Sequence, residues 1–338
     1  MKVLALELTN LCNRACHHCF RNKADPPGFL PPAVADRVLS QAKPLGFKVV
    51  CLTGGEVGLY PHLKEVLRCL AARGFAFSLV TNGYRFPGVV LPLLLEPAVR
   101  ERLTCVSFSL DGATAAVHDG LRGLKSFREV LEAMTCCQRH GLPMSLKTVL
   151  TTANRGELTE LVLLGARMGV REHGFLFPYP RPNFIRSGLL PGPEETEATL
   201  RWIRDELLGI TRHAVTIDGY AVDGPTLNCG HLVDFLNVDF QGHLIFCCTL
   251  SHINQGDGVP TTLGGECLAD LKEISLPDAI VKQYQQAAAV LAARFAARQP
   301  SASLAASPCF WVLEYFGKLD WLKEFPDSPW HSWIWPRQ

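Results

Sequence analysis

Cys12, Cys16 and Cys19 stand within eight residues, in Thr9-Asn10-Leu11-Cys12-Asn13-Arg14-Ala15-Cys16-His17-His18-Cys19-Phe20. The CxxxCxxC spacing can wrap one cubane iron–sulfur cluster and leave its fourth iron without a protein ligand. Metal binding deprotonates a thiol outright, so three thiolates from one loop can hold such a cluster. The open iron is then free to chelate a small molecule. Zinc prefers a closed set of four ligands, usually contributed as CxxC pairs, and this run is neither. Packed core cysteines are the plain alternative, but thiols flanked by Asn, Arg and His make poor core material.

Other polar groups fall at the ends of short apolar runs. Leu52-Thr53-Gly54-Gly55-Glu56 offers paired glycines, which let the backbone approach a ligand, beside a carboxylate that can accept from an ammonium group. A plain glycine turn capped by Glu56 reads the same. In Val106-Ser107-Phe108-Ser109-Leu110-Asp111-Gly112, strand alternation puts Ser107, Ser109 and Asp111 on one face and Val106, Phe108 and Leu110 on the other. Arg122, in His118-Asp119-Gly120-Leu121-Arg122, can make a bidentate carboxylate contact or stand solvated at the surface. Thr81-Asn82-Gly83 closes another run as a turn.

The elements that must position these groups alternate. Strand-like runs are expected at Val3–Glu7, Val49–Leu52, Ala76–Thr81, Val106–Leu110, Ser145–Leu150 and Glu172–Phe177. Helix-like stretches are expected at Pro32–Lys43, Pro61–Arg73, Val90–Arg102, Ser126–His140, Gly156–Met168 and Pro193–Ile210. Strand alternating with helix predicts βα units around a parallel sheet, with function at the C-terminal ends of the strands. Six units are too few for a closed eightfold barrel.

The cysteine spacing right after the first strand, with the GGE, SxDG and TNG segments downstream, resembles the radical SAM superfamily. His18 stands where that family usually has an aromatic residue, and Val57 where it often has Pro. The resemblance implies an α/β fold: a (β/α)6 partial TIM barrel over residues 1–210, followed by a small α+β auxiliary-cluster domain over 211–338. It implies a SAM-binding [4Fe–4S] cluster on Cys12, Cys16 and Cys19. It also implies S-adenosylmethionine held by Gly54, Gly55 and Glu56 at its amine, Ser109 at its ribose and Arg122 at its carboxylate. Leu176 or Phe177 would pack on adenine or in the core. The implied chemistry is reductive SAM cleavage to a 5′-deoxyadenosyl radical, which abstracts hydrogen from a substrate.

A second cysteine set follows residue 211. Cys229-x12-Gly242-x4-Cys247, with a hairpin turned at Gln241-Gly242, resembles the opening of the SPASM/Twitch domains that carry auxiliary clusters. The full SPASM cysteine pattern does not follow, so one auxiliary [4Fe–4S] cluster is expected, on Cys229, Cys247 and Cys309, with Cys267, Cys248 or no residue as fourth ligand. A zinc site on the same thiols, or simple packing, stays open. Sulfatase-maturing relatives place a carboxylate where this chain has Cys248. A thiol there disfavours that oxidation and can instead return a hydrogen atom to a carbon radical, which makes Cys248 a catalytic candidate beside ligation and packing.

The composition agrees with an enzyme of the cytosol. With 33 Lys and Arg against 32 Asp and Glu, a formal charge of +1 gives no general pull toward nucleic acid or membrane. Glu7 and Asn10 interrupt any signal-like start, and thirteen cysteines with one triplet at metal spacing point to a reducing compartment. Cys51, Cys69, Cys105, Cys136 and Cys137 lie in apolar segments and are expected in the core.

The expected partners are an electron donor such as flavodoxin or ferredoxin and a peptide or protein substrate. A small-molecule or cofactor-pathway substrate, such as an aminoglycoside-type alcohol or a tetrapyrrole, is the second reading, and a non-catalytic electron carrier the third. The first strand begins at residue 3, so a peptide substrate is expected to need a separate leader-peptide recognition protein or direct binding. The Pro- and Arg-rich loop 178–186 could grip substrate, and the Trp-rich tail 310–335 is expected to pack over the auxiliary domain.

Overall fold

A computed structural model describes residues 2–19, 21, 25–220, 232–251, 263–296 and 307–335. The strands β1 (Val3–Glu7), β2 (Val49–Thr53), β3 (Ala76–Thr81), β4 (Leu103–Ser109), β5 (Met144–Val149), β6 (Glu172–Leu176) and β7 (Ala214–Asp218) pair in chain order, all parallel. The six expected strands are present, and β7 extends the sheet by one. Its residues are all partly or fully exposed, so it lacks the in–out alternation by which the others are read.

Helices cover the sheet with one apolar stripe each. In α1 (Pro32–Ala42) the stripe is Val34, Ala35, Val38, Leu39 and Ala42, and in α2 (Leu63–Ala72) it is Leu63, Val66, Leu67 and Leu70. The continuous helix expected over Val90–Arg102 is instead α4 (Leu91–Leu94) and α5 (Pro97–Arg100), and α3 (Phe86–Val89) precedes them. Pro87, Pro92 and Pro97 each fall in the first turn of one segment, because proline lacks the N–H that a helix interior uses. The regular series continues with α6 (Ala115–Arg122), α7 (Ser126–Arg139), α8 (Leu158–Arg167), α9 (Pro182–Arg186) and α10 (Pro193–Trp202).

The C-terminal part grows from the other edge of the same sheet. β8 (Phe235–Val238) pairs in parallel with β1, β9 (His243–Ile245) runs antiparallel to β8, and β10 (Cys267–Asp270) antiparallel to β9. The β8–β9 turn is the expected one: Asp239 Oδ1 accepts from the backbone N–H of Gln241 and His243, and Gly242 takes φ +89°. Across the β1–β8 seam the buried Asn237 Nδ2 donates to Glu7 Oε1 at 3.3 Å. One sheet therefore runs through both halves of the chain. α11 (Leu276–Ala296) and the helices Pro308–Tyr315 and Pro329–Ile334 complete the description. Among the described residues no helix is long and apolar enough to cross a membrane.

Candidate active site

The cysteine loop leaves β1 through a closed neck. Thr9 bridges Phe29, Thr9 Oγ1 donates to Gly28 O at 2.7 Å, and Asn10 Nδ2 donates to Pro26 O at 2.7 Å while its Oδ1 accepts from Gly28 N at 2.8 Å. The paired glycines serve this loop. Gly55 N donates to Thr9 O at 2.6 Å and Glu56 N to Leu11 O at 2.7 Å. A Cβ on Gly55 would lie 1.9 Å from Leu11 O, and one on Gly54, whose φ is +137°, 2.4 Å from Thr9 O. In the structure the glycines thus admit the cysteine loop itself.

Glu56 is buried, with both oxygens engaged: Oε1 accepts from Thr81 Oγ1 at 2.6 Å and Gly58 N at 3.2 Å, Oε2 from Asn82 N at 2.7 Å. Its pKa is raised by burial against those hydrogen bonds. Asn82 then reaches the first cysteine, with Nδ2 at 3.6 Å from Cys12 Sγ and 3.0 Å from Asn13 Oδ1. The GGE and TNG segments are therefore one bracket behind Cys12.

The three thiols share one space. Burial pushes Cys12 up to about 11, and the charges of Cys19, Glu56 and Cys16 add to the rise. Burial also raises Cys16, opposed chiefly by the guanidinium of Arg122. Among the described residues no three His, Cys, Asp or Glu side chains lie close enough to cage one metal ion. A cubane asks for something wider, since each thiolate takes a different iron. Three thiols from one loop, with N–H groups of Arg14 and Asn82 directed at Cys12 Sγ, fit that group.

Behind Cys16 lies a buried polar network centred on Asp111. Its Oδ2 accepts from Arg122 Nε at 2.5 Å and lies 3.2 Å from His18 Nε2, its Oδ1 accepts from Val149 N at 2.9 Å, and its own N–H donates to His118 Nδ1 at 3.0 Å. Burial opposes the charge of Asp111, but Arg122 and then His18 outweigh it and hold the pKa below the usual carboxylate range. Burial lowers His18 and His118 to about 4, so both are neutral imidazoles near neutral pH. Arg122, expected to face a ligand carboxylate, has its Nε on Asp111 here. Two buried polar atoms beside this network, His18 Nδ1 and Ser107 Oγ, have no hydrogen-bond partner. Ser109 is half-buried, opposite Lys147 in the β4–β5 register.

A cavity of about 690 Å³ joins this region to the C-terminal cysteines. Its wall includes His18, Lys147 and Val149 of β5, Leu176, Asp218 of β7, and Cys247, Cys248 and Cys309. Cys248 is exposed and Cys247 buried. Burial raises Tyr179 well above the usual phenol range, and Cys309 and Cys248 act in the same direction. Cys229 lies outside the described residues. Cys267 is in β10, paired with Ile245 of β9, and after burial the groups that raise its pKa, to about 11, are Asp239, Glu266 and Asp270.

The tail packs on the C-terminal part, as expected, and on the barrel as well. Phe316 meets Phe246 of the C-terminal part at 5.4 Å, and Phe310 and Trp330 meet Phe177, just past β6, edge to face at 5.6 and 5.8 Å. Trp330 Nε1 donates to Pro191 O at 2.9 Å. The tail thus closes one side of the cavity, to which it contributes Pro308, Cys309 and Val312. Of the apolar-segment cysteines only Cys137 is fully buried; Cys69 lies at the surface side of α2, between Asp36 and Arg73.

Sequence reasoning missed Lys147. Its ammonium is 2.7 Å from Asp218 Oδ2 and 3.3 Å from Glu172 Oε1, and these carboxylates outweigh burial to raise its pKa. A lysine inside the strand run Ser145-Leu146-Lys147-Thr148 was the available signal.

Residues 6–164 match the family described as the Radical SAM superfamily. The AdoMet-dependent heme synthase of Methanosarcina barkeri is 27% identical over 209 residues, 60% of this chain and 57% of that protein. Mycofactocin maturase MftC of Mycobacterium tuberculosis is 31% identical over 174 residues, 49% of this chain and 42% of the maturase. The chain spans about half the length of these curated relatives. Among solved structures, Streptococcus suis SuiB bound to precursor peptide SuiA has the same fold, with a TM-score of 0.70 over 92% of this chain and 70% of SuiB at 14% identity. The superfamily match begins in β1 and takes in the cysteine loop and the bracket behind it, so residues 6–164 carry a radical SAM domain.

Proposed function

We propose that this chain is a radical SAM enzyme that abstracts hydrogen from a peptide or protein side chain, as a step of peptide maturation. The observation that carries the reading is the cavity joining His18, next to Cys19, with Cys247, Cys248 and Cys309. Cys12, Cys16 and Cys19 would hold a [4Fe–4S] cluster, with Gly54, Gly55, Glu56, Ser109 and Arg122 around S-adenosylmethionine. Together these cofactors supply, when bound, an electron and a 5′-deoxyadenosyl radical. The protein's part is to orient and to shield. The cavity is lined mainly by apolar and aromatic side chains and is of a size that encloses one side chain or small ligand. Cys247 and Cys309, with Cys229, would hold an auxiliary [4Fe–4S] cluster, and residues 211–338 would form its SPASM/Twitch-like domain. Cys267, among carboxylates, is the weaker fourth ligand.

The charge of the wall favours a peptide over a tetrapyrrole, the second reading suggested by the heme synthase relative. Lys147 is the one Lys or Arg among the described lining residues, and it is already matched by Asp218 and Glu172. A ligand carrying several carboxylates would find no spare cation among these described residues, and burying an unpaired carboxylate is costly. Adding short peptides should accelerate 5′-deoxyadenosine release from the reconstituted, dithionite-reduced protein. A tetracarboxylate porphyrin should leave its own Soret band unshifted; a shifted band with no effect of peptides would reverse the choice. We place the enzyme in the cytoplasm, on its cysteine usage, with a flavodoxin or ferredoxin as electron donor and a separate leader-recognition protein as a partner.

Cys248, exposed at the cavity wall, is proposed as the hydrogen-atom donor. Its S–H bond breaks as a C–H bond forms on the substrate, and the thiyl left behind takes one electron from the carrier and one solvent proton. Cys248→Ser should keep all its iron and still release 5′-deoxyadenosine. In heavy water the native product should gain one deuterium that the variant's lacks. Loss of about half the iron would make Cys248 a ligand instead.

A further inference from the structure

The surface beside the cysteine loop carries features that the fold does not require. Leu124 is 83% exposed. Its carbonyl accepts from Arg14 Nη1 at 3.0 Å, and Arg14, midway between Cys12 and Cys16, also pairs with Glu129 of α7 at 2.5 Å. Next to Leu124 stands Lys125, with φ +67°; Arg85, with φ +51°, is the other described non-glycine residue with positive φ. A side chain in that region is held in a strained conformation. Both residues are exposed and cationic, and they N-cap α7 and α3. At the start of the 14-residue α7 the helix dipole opposes a cation.

Asp119 builds the turn, accepting from the backbone N–H of Lys125 and Phe127 and from the Ser126 hydroxyl. Gly83 packs so tightly on α7 that a Cβ would lie 2.8 Å from Val130 Cα, which brings the Arg85 loop to the helix that carries Arg128. Arg85, Lys125 and Arg128 are exposed and make no ion pair among the described residues. Asn82, three residues before Arg85, reaches Cys12 Sγ at 3.6 Å.

We infer that Leu124, Arg85, Lys125 and Arg128 form the docking surface for an acidic one-electron carrier protein of the flavodoxin or ferredoxin type. The inference rests on the radical SAM reading above. An exposed leucine beside the cations at the start of α7 suits a partner whose apolar redox edge is ringed by carboxylates. A carrier seated here meets the loop of Cys12 and Cys16 through Arg14 and Asn82.

The test uses the full chain with reconstituted clusters and an acidic bacterial flavodoxin as the probe. Binding is measured by calorimetry at low and at about 0.15 M salt, where charge steering is screened. The Lys125→Glu/Arg128→Glu double variant should bind at least about tenfold more weakly at low salt. Leu124→Asp should also weaken binding, whereas Lys282→Glu on α11 should not. Dithionite-driven 5′-deoxyadenosine release should be the same in all of them, because a small reductant needs no docking. Unchanged flavodoxin affinity in the double variant, or an equal loss in Lys282→Glu, overturns the surface. So does a loss of peptide binding or of self-association with flavodoxin affinity intact. If dithionite drives no SAM cleavage in the unaltered protein, the functional reading falls, and the binding comparison still decides the surface.

Discussion

Cys16→Ala is expected to reduce 5′-deoxyadenosine release to the level seen without protein. Anaerobically reconstituted native chain, given dithionite and SAM, should release it readily. Cys16 is the buried thiol of the triplet, and Arg122 is the charge that most favours its thiolate. Removing it leaves two thiols on one loop, too few to hold a cubane with a single open iron. Iron analysis separates the two proposed clusters. The native chain should approach about eight irons, and a variant lacking Cys12, Cys16 and Cys19 about four. Continued SAM cleavage by that triple variant would refute the assignment. A triple variant that is colourless and holds only zinc would remove the auxiliary cluster.

Asp111→Asn is expected to destabilise the chain by about 3–5 kcal/mol, since it leaves the Arg122 guanidinium buried without its counter-charge. Against a typical domain stability of about 5–15 kcal/mol, that is a large part of the total. The side chain of Asp111 is fully buried and meets Arg122, His18 and the Val149 amide at once. The pH dependence carries the sign. Because the folded-state pKa of Asp111 is depressed, its contribution is fully present above the unfolded carboxylate value of about 3.9 and is lost as pH falls through the lower folded value. Urea unfolding at neutral pH should show the variant less stable. Between about pH 4 and pH 2 the native chain should lose more stability than the variant does. Parallel losses would mean that Asp111 carries no such linkage.

Local chemistry was readable wherever chain neighbours make the motif. The cysteine triplet needs only its spacing, and the six βα strands show in runs of apolar residues. The Asp239–Gly242 turn is built within one hairpin, so its residues announce it. Val90–Arg102 misled because its apolar content suits one helix, while Pro92 and Pro97 cut it into two segments. β7, with its exposed and half-exposed residues, had no pattern to show.

By itself the sequence determined a parallel α/β frame and the thiol loop that follows its first strand. Only the tertiary structure decided that Gly54 and Gly55 make room for that loop, that Glu56 and Asn82 brace it, and that Arg122 is held by Asp111. It also decided that β8 extends the sheet from β1, and that His18, Lys147, Asp218, Cys247, Cys248 and Cys309 line one cavity. These contacts join residues tens to hundreds of positions apart. Spacing along the chain carries no record of them, because strand pairing and packing across the sheet, rather than local conformation, bring them together.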